Sequence, residues 1–343
     1  MRANRKSVAR RAVLDHLLSL IADAPWSESL VLRGSMVMPA WVGDRAREPA
    51  DLDFVVMTAP PARVDALDPY PFVARTEVVQ QWPEAANGAA RYEIWTDGEE
   101  EFEMRGLRPR VPPDGLRWDP DPDPPELVPD YHDLVDRVRS RPMAAPGIAL
   151  DASGVNRDST WSYAYDGSES GGIRVLVPWR AAGLGSGAAQ LDFAFDETLH
   201  RPPVWTLVPR ADGAAPTLMR TASRELSLAW KLLWLYADGA DGASSRGKDL
   251  HDAVLLAEDT RTALSVPLLR QVLRTHTLRT ATASSAFGSH AVKVAETDWA
   301  AFRAEHPRVR GSARDWLRRL DVALAGVFAR LEGTTVRESA EVG

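Results

Sequence analysis

Residues 30–41 read LVLRGSMVMPAW and residues 50–57 read ADLDFVVM, and together they outline the core of the chain. Leu30–Leu32 is a short apolar run, which predicts a buried strand. Gly34-Ser35 follows as a turn, and the apolar residues after it predict a short helix. Polar and apolar side chains then alternate over residues 51–57, which predicts a second strand. The predicted order is therefore strand, Gly-Ser turn, helix, strand.

Two carboxylates begin the second predicted strand. Asp51 and Asp53 are two residues apart, so both side chains project from the same face. Two negative charges this close repel each other unless a cation lies between them. Mg²⁺ prefers hard oxygen ligands and keeps water or substrate phosphates in its other positions. The pair is a candidate site for a metal with a bound nucleotide, although Asp-x-Asp is also common in turns and on exposed surfaces.

The Gly34-Ser35 turn has two interpretations. Glycine lets the backbone approach a phosphate, and the amides and dipole of the following helix favour an anion. A serine at this place is equally typical of a helix N-cap.

A third carboxylate and an unusual lysine lie further along the chain. The strand predicted at residues 190–195 places Asp192 on the face opposite Leu191 and Phe193. If this strand lies beside the Asp51 strand, Asp192 completes a three-carboxylate site for two metals about 3.5–4 Å apart. Lys231 is one of four lysines among 41 basic residues. Its predicted helix is apolar, so its ammonium either reaches the surface or binds an anion.

The composition excludes several classes of protein. Hydrophobic residues make up 45% and charged residues 26%, which predicts a soluble protein with a sizeable core. The absence of cysteine excludes disulfides and thiolate zinc sites and permits a reducing cytoplasm. No run approaches the roughly 20 apolar residues that cross a bilayer. The net charge of −7 argues against general coating of nucleic acid, but it permits local arginine patches such as residues 308–319.

The pattern of elements changes along the chain. Strands and turns dominate up to about residue 218, and helices follow. We predict one domain over residues 1–218, with an insertion at about 71–165, and a helical domain over residues 219–343. The predicted helices are residues 7–24, 223–237, 248–258, 267–274, 297–305 and 313–331. Strands are predicted near residues 91–95, 161–165, 173–178 and 190–195.

Four segments together resemble the AbiEii/AbiGii nucleotidyltransferase toxin family, a branch of the polymerase-β-like superfamily. They are LVLRGS at residues 30–35, REPADLDF at 47–54, QLDF at 190–193, and the lysine helix AWK at 229–231 followed by RGKDLHD at 246–252. The order of the segments agrees with the family, and the resemblance spans about residues 28–260.

This resemblance implies an α+β fold, with a polymerase-β-like nucleotidyltransferase core of a mixed sheet and flanking helices, and an α-helical C-terminal domain. It implies a cytoplasmic toxin that transfers a nucleoside monophosphate from an NTP to RNA, such as the 3′ end of tRNA, in a toxin–antitoxin or phage-defence system. Mg²⁺ or Mn²⁺ would be the cofactor, and a separately encoded antitoxin would be the partner. The implied catalytic residues are Asp51, Asp53, Asp192, Lys231 and Asp249, the implied nucleotide-binding residues are Gly34, Ser35, Arg47 and Lys231, and the implied metal ligands are Asp51, Asp53 and Asp192.

Two other functions are compatible with the same residues. The chain could transfer nucleotides to an aminoglycoside-like small molecule or to a protein hydroxyl, since an acidic protein suits a cationic acceptor. It could also be a non-catalytic nucleotide-binding module that keeps the fold. Read without the resemblance, Asp249 is a helix cap.

Overall fold

The computed structural model describes most of the chain, and its contacts divide the chain into two compact units. One unit comprises Met1–Val56 and His132–Gly343, and the other comprises Met57–Tyr131. The described residues are 2–57, 62–63, 72–73, 94–97, 100–103, 131–158, 163–165, 168–170, 172–195, 197–240, 247–280 and 296–341.

The described helices and strands have these bounds. The helices are α1 (Arg2–Ala22), α2 (Met38–Val42), α3 (Tyr131–Ser140), α4 (Arg224–Ala240), α5 (Gly247–Glu258), α6 (Val266–Thr280), α7 (Glu296–Glu305) and α8 (Ala313–Glu341). The strands are β1 (Leu30–Arg33), β2 (Leu52–Val56), β3 (Ala62–Arg63), β4 (Phe72–Val73), β5 (Ile94–Asp97), β6 (Glu100–Glu103), β7 (Met143–Ala145), β8 (Ile148–Leu150), β9 (Asn156–Asp158), β10 (Tyr163–Tyr165), β11 (Ser168–Ser170), β12 (Gly172–Ala181), β13 (Gly185–Ala194), β14 (Val204–Val208) and β15 (Thr217–Thr221).

A mixed sheet forms the centre of the first unit. Its strand order is β14-β15-β1-β2-β13-β12-β8-β7, and β9 also pairs with β12. β2 lies in the middle, antiparallel to β1 and parallel to β13. The register places Arg33 beside Asp53 on one side and Asp192 beside Asp53 on the other. Residues from three distant parts of the sequence therefore share one sheet face.

The opposite face of these strands is apolar. Leu32, Phe54 and Phe193 lie in register across β1, β2 and β13, and all three are buried. The two phenyl rings stack with their centroids 5.3 Å apart. Because burial of large aromatic side chains is strongly favourable, this layer holds the three strands together beneath the polar face.

Helices pack on this sheet and on one another. α1 contacts β7, β8, β13 and β15, while α5 contacts α2, α4, α7 and α8. Helix α5 is therefore surrounded by other helices, and its residues Gly247, Asp249, His251 and Asp252 are buried together with its apolar ones.

The described residues confirm the α+β fold class, with a mixed sheet followed by helices. They also confirm that β13 lies directly beside β2, which the three-carboxylate hypothesis required. Strands β14 and β15 were not predicted. Residues 217–221, near the predicted domain boundary, form β15 and pair with β1 in the sheet, and the division into domains 1–218 and 219–343 stays a prediction.

The second unit is described only in short segments. There β3 pairs with β4 and β5 pairs with β6, both antiparallel. The strand predicted near residues 91–95 corresponds in part to β5, and much of the predicted insertion at about 71–165 lies outside the described residues. Among the described helices, none has the length and apolar character needed to span a membrane.

Candidate active site

Asp51 and Asp53 form an acidic ledge on the polar face of the central sheet. Asp53 lies on β2, Asp51 immediately precedes that strand, and both side chains are half-buried. Within the described ranges, no side chain forms a hydrogen bond or ion pair with either carboxylate. The described residues therefore leave the oxygen atoms of the ledge available for a ligand.

The charge balance at Asp53 is unusual. Burial, together with the negative charges of Asp51 and Asp192, raises the pKa of its carboxyl to about 7, against the opposing effect of Arg33 and Lys248. A nearby cation stabilises the charged form of a buried carboxyl that has other carboxylates beside it. The electrostatics of the ledge therefore favour binding of a cation.

Asp192 lies beside Asp53, as predicted, but its carboxylate already has partners. Arg174 on β12 donates to both oxygens, with distances of 2.8 Å from Nε to Oδ1 and 3.0 Å from Nη2 to Oδ2. Gln190 also donates to Oδ2, at 2.8 Å. Among the described residues no group of three or more His, Asp or Glu side chains is arranged to hold a metal. The role of Asp192 as a metal ligand thus stays a prediction.

The Gly34-Ser35 turn packs directly against the ledge. Gly34 has a positive φ of 74°, and a methyl group at its Cα would overlap Oδ2 of Asp53. The hydroxyl of Ser35 is buried and has no hydrogen-bond partner among the described residues. The N-cap interpretation of Ser35 is wrong, because the N-cap position of α2 is occupied by Val37. Since buried hydroxyls are nearly always hydrogen-bonded, an unsatisfied Ser35 is a place where a ligand can bind.

Lys231 on α4 belongs to a buried ion-pair network with α5. Its Nζ lies 2.6 Å from Oδ1 of Asp249 and 3.6 Å from Oδ2 of Asp252. Arg47 also pairs with Asp252, with Nη2 and Oδ2 3.1 Å apart. Burial would raise the pKa of Asp252, but Arg47, His251 and Lys231 together lower it well below the ordinary value. The network joins the loop before Asp51 to α4 and α5.

Arg33 and its partners were missed by the sequence analysis. Arg33 is buried at the end of β1 and forms an ion pair with Glu197. Its guanidinium carbon lies 5.5 Å from the ring centroids of both Trp230 and Trp234. Nζ of Lys231 also lies over Trp234, at 4.8 Å. Only the position of Arg33, directly before Gly34 and on the face of Asp53, could have indicated its place in the site.

The C-terminal helices hold α5 in position through aromatic contacts. His251 packs against Phe302 and Trp316, with centroid distances of 5.4 and 5.0 Å, and its Nδ1 lies 3.2 Å from Oδ1 of Asp252. A methyl group on Gly247 would lie 2.9 Å from Cβ of Phe302, so only glycine allows α7 to approach this closely. These aromatic residues therefore serve packing.

Comparison with known proteins gives a family match and matches to several solved structures. The sequence profile described as the nucleotidyl transferase AbiEii toxin, of type IV toxin–antitoxin systems, matches residues 123–325. This range contains Asp192, Lys231 and Asp249, whereas Gly34-Ser35 and the ledge precede it. No curated protein sequence matches the chain. Among solved structures, the chain is similar to MenT4, a nucleotidyltransferase toxin from Mycobacterium tuberculosis H37Rv, with 14% identity, a TM-score of 0.43, and coverage of 94% of this chain and 93% of that one.

Proposed function

Because this chain belongs to the AbiEii family of nucleotidyltransferase toxins from type IV toxin–antitoxin systems, we propose that it transfers a nucleoside monophosphate from an NTP to a hydroxyl group of RNA. The proposed acceptor is the 3′ end of tRNA, and pyrophosphate is the other product. The observation that supports this most directly is the packing of the acidic ledge of Asp51 and Asp53 against the Gly34-Ser35 turn, in which the Ser35 hydroxyl has no hydrogen-bond partner among the described residues. Carboxylates for a metal and a donor for a phosphate thus lie side by side.

We propose that Asp51 and Asp53 hold a divalent cation, with Mg²⁺ as the candidate. Their hard oxygen donors suit this ion, and a cation beside them would stabilise the charged form of the Asp53 carboxyl, whose pKa is raised. A bound divalent cation would neutralise the triphosphate and the leaving pyrophosphate. Asp192 adds negative charge beside Asp53, and Arg174 and Gln190 hold its carboxylate in a fixed orientation.

The proposed triphosphate site is the Gly34-Ser35 turn. Without a side chain on Gly34, a phosphate can approach the backbone closely, and the Ser35 hydroxyl can donate to a phosphate oxygen. Arg47 and Lys231 are both buried and are paired with Asp252 and Asp249. Contact of these two side chains with the nucleotide stays a prediction. Their ion pairs support a role in fixing α5 beside the ledge.

Gly34→Ala should lower kcat/KM for nucleotide transfer about 100-fold, because the added methyl group displaces the Asp53 carboxylate. The matched control is Gly213→Ala in the loop between β14 and β15. Gly213 has nearly the same φ, 73°, and no atom lies within 4 Å of a methyl group built there. Both variants carry the same backbone strain of roughly 1–2 kcal/mol, so equal activity losses in the two would contradict the proposed contact.

The acceptor can be identified with labelled nucleotides. Purified protein is incubated with each α-labelled NTP, Mg²⁺ and one of three acceptors: total RNA, total protein or an aminoglycoside. The expected product is labelled RNA of tRNA size, and periodate oxidation of the RNA 3′ end should prevent labelling. Label in protein or aminoglycoside would support the alternative acceptors. Absence of label in every mixture would support a non-catalytic module.

A further inference from the structure

The sheet ends in the edge strand β14, which has large exposed apolar side chains, one of which, Trp205, stacks with Arg220 on β15. No described strand other than β15 pairs with β14. On the outer face of β14, Trp205 is 57% and Leu207 is 59% exposed, and Leu218, the partner of Leu207 on β15, is 51% exposed. Exposed apolar patches on strands of this kind mark interaction surfaces.

The backbone of β14 is suited to pairing with a further strand. Pairing with β15 uses the N–H and C=O groups of alternate residues, and the others point away from the sheet. Natural edge strands are commonly protected by charges, bulges or shortness. β7, at the other end of the sheet, has three residues and an irregular register. β14 has five residues, VWTLV, with no charge among them.

The sequence of β14 has apolar residues of the same kind on both sides of its central residue. Val204 and Val208 flank Trp205 and Leu207, with Thr206 between them. An antiparallel pair of two such strands, with a two-fold axis through Thr206, places Trp205 of each copy opposite Leu207 of the other. The apolar side chains of each strand then contact those of the other. The surface is therefore complementary to itself, which is the condition for an isologous dimer.

We propose that β14 is a homodimer interface, in which β14 strands of two copies pair antiparallel about a two-fold axis through Thr206. The sheets of the two copies then form one continuous sheet. Pro203 and Pro209 lie directly outside the strand and have no N–H to donate. Pairing therefore stops after five residues, which favours a closed dimer over extended aggregation. This inference is independent of the proposed transfer reaction.

The test is the oligomeric state of the full chain by sedimentation velocity. The average mass of the wild-type protein should rise from one chain towards two over about 1–100 µM, the range of small interfaces. Trp205→Lys and Leu207→Glu should each give a monomer across this range. The double variant should regain the dimer, because the axis through Thr206 places each introduced lysine opposite an introduced glutamate.

The control is Met143→Lys, which changes a 53% exposed residue on the opposite edge strand and should leave dimerisation unchanged. Leu207 and Met143 are exposed, so the melting temperatures of Leu207→Glu and Met143→Lys should stay close to that of the wild type. Trp205→Lys should lower it modestly, because the lysine replaces an indole that stacks with Arg220, its partner on β15. A wild-type protein that is monomeric at 100 µM would overturn the proposal. So would single variants that still dimerise, or a double variant that stays monomeric when both single variants are monomeric.

Discussion

Asp53→Asn is expected to reduce nucleotide transfer roughly 10³-fold or more. The substitution keeps the size of the side chain and removes one of the two charges proposed to hold the metal, so it weakens stabilisation of charge in the transition state. The measurement is the rate of label transfer from an α-labelled NTP to total RNA at saturating Mg²⁺. Asp136→Asn, on the exposed face of α3, is the matched control and should keep full activity.

The same variant should be more stable than the wild type when no metal is present. The folded-state pKa of Asp53, about 7, lies above the ordinary value of 3.8, so the folded wild type binds a proton more tightly than the unfolded chain. The stability that the wild type gains from this tighter proton binding is present below pH 4 and is lost as the pH rises through 7. The asparagine does not ionise, and the stability gained by Asp53→Asn should therefore grow between pH 4 and pH 7.

Thermal unfolding in EDTA at pH 5 and pH 8 measures this effect. The difference in melting temperature between Asp53→Asn and wild type should be larger at pH 8, by at least about 2 °C. An inactive variant that is also more stable has lost catalysis and not its fold. Retained transfer activity would refute the role of Asp53, whereas an equal melting difference at both pH values would refute its raised pKa.

Asp252→Asn should destabilise the protein by about 3–5 kcal/mol, because it leaves the buried guanidinium of Arg47 without a charged partner. Lys231 would also lose a nearby negative charge. The free energy of unfolding is measured by urea denaturation at pH 7, and the melting temperature should fall by roughly 10 °C. Asp136→Asn removes an exposed ion pair with Arg139 and should cost less than about 1 kcal/mol.

A second substitution tests whether the unpaired charge is the cause. Replacing both partners, with Arg47→Met and Asp252→Leu, removes this buried pair, leaves Lys231 paired with Asp249, and should recover part of the lost stability. The double variant is expected to be inactive, since Arg47 and Asp252 join the loop before the ledge to α5. If Asp252→Asn lowers the free energy of unfolding no more than Asp136→Asn does, the buried ion-pair network is contradicted.

Local sequence patterns were sufficient for the elements around the ledge. The apolar run at Leu30–Leu32 and the alternation after Asp51 predicted β1 and β2. A buried strand appears in a sequence as a short apolar run, and a half-buried strand appears as an alternation of polar and apolar residues. The position of Asp192 within its strand was predicted in the same way. Strand β14 carries a similar signal, since VWTLV between prolines is rich in β-branched and aromatic residues.

The partners of the site residues could not be predicted from local patterns. Arg174 pairs with Asp192, Lys231 with Asp249 and Arg47 with Asp252. Each pair depends on which strands and helices are neighbours in space, and nothing in the sequence near one partner specifies the other. The stacking of Arg33 on two indole rings has the same origin.

The parallel pairing of β2 with β13 also affects when the site can form during synthesis. About 140 residues separate Asp53 from Asp192, and about 200 separate it from Asp252. At roughly 5–20 residues per second, a ribosome needs on the order of ten seconds or more to add the second half of the site. A nascent chain that ends before α5 carries the ledge without Asp249 and Asp252, the partners of Lys231 and Arg47. We therefore expect such a chain to lack the proposed nucleotide-transfer activity until α5 has been added.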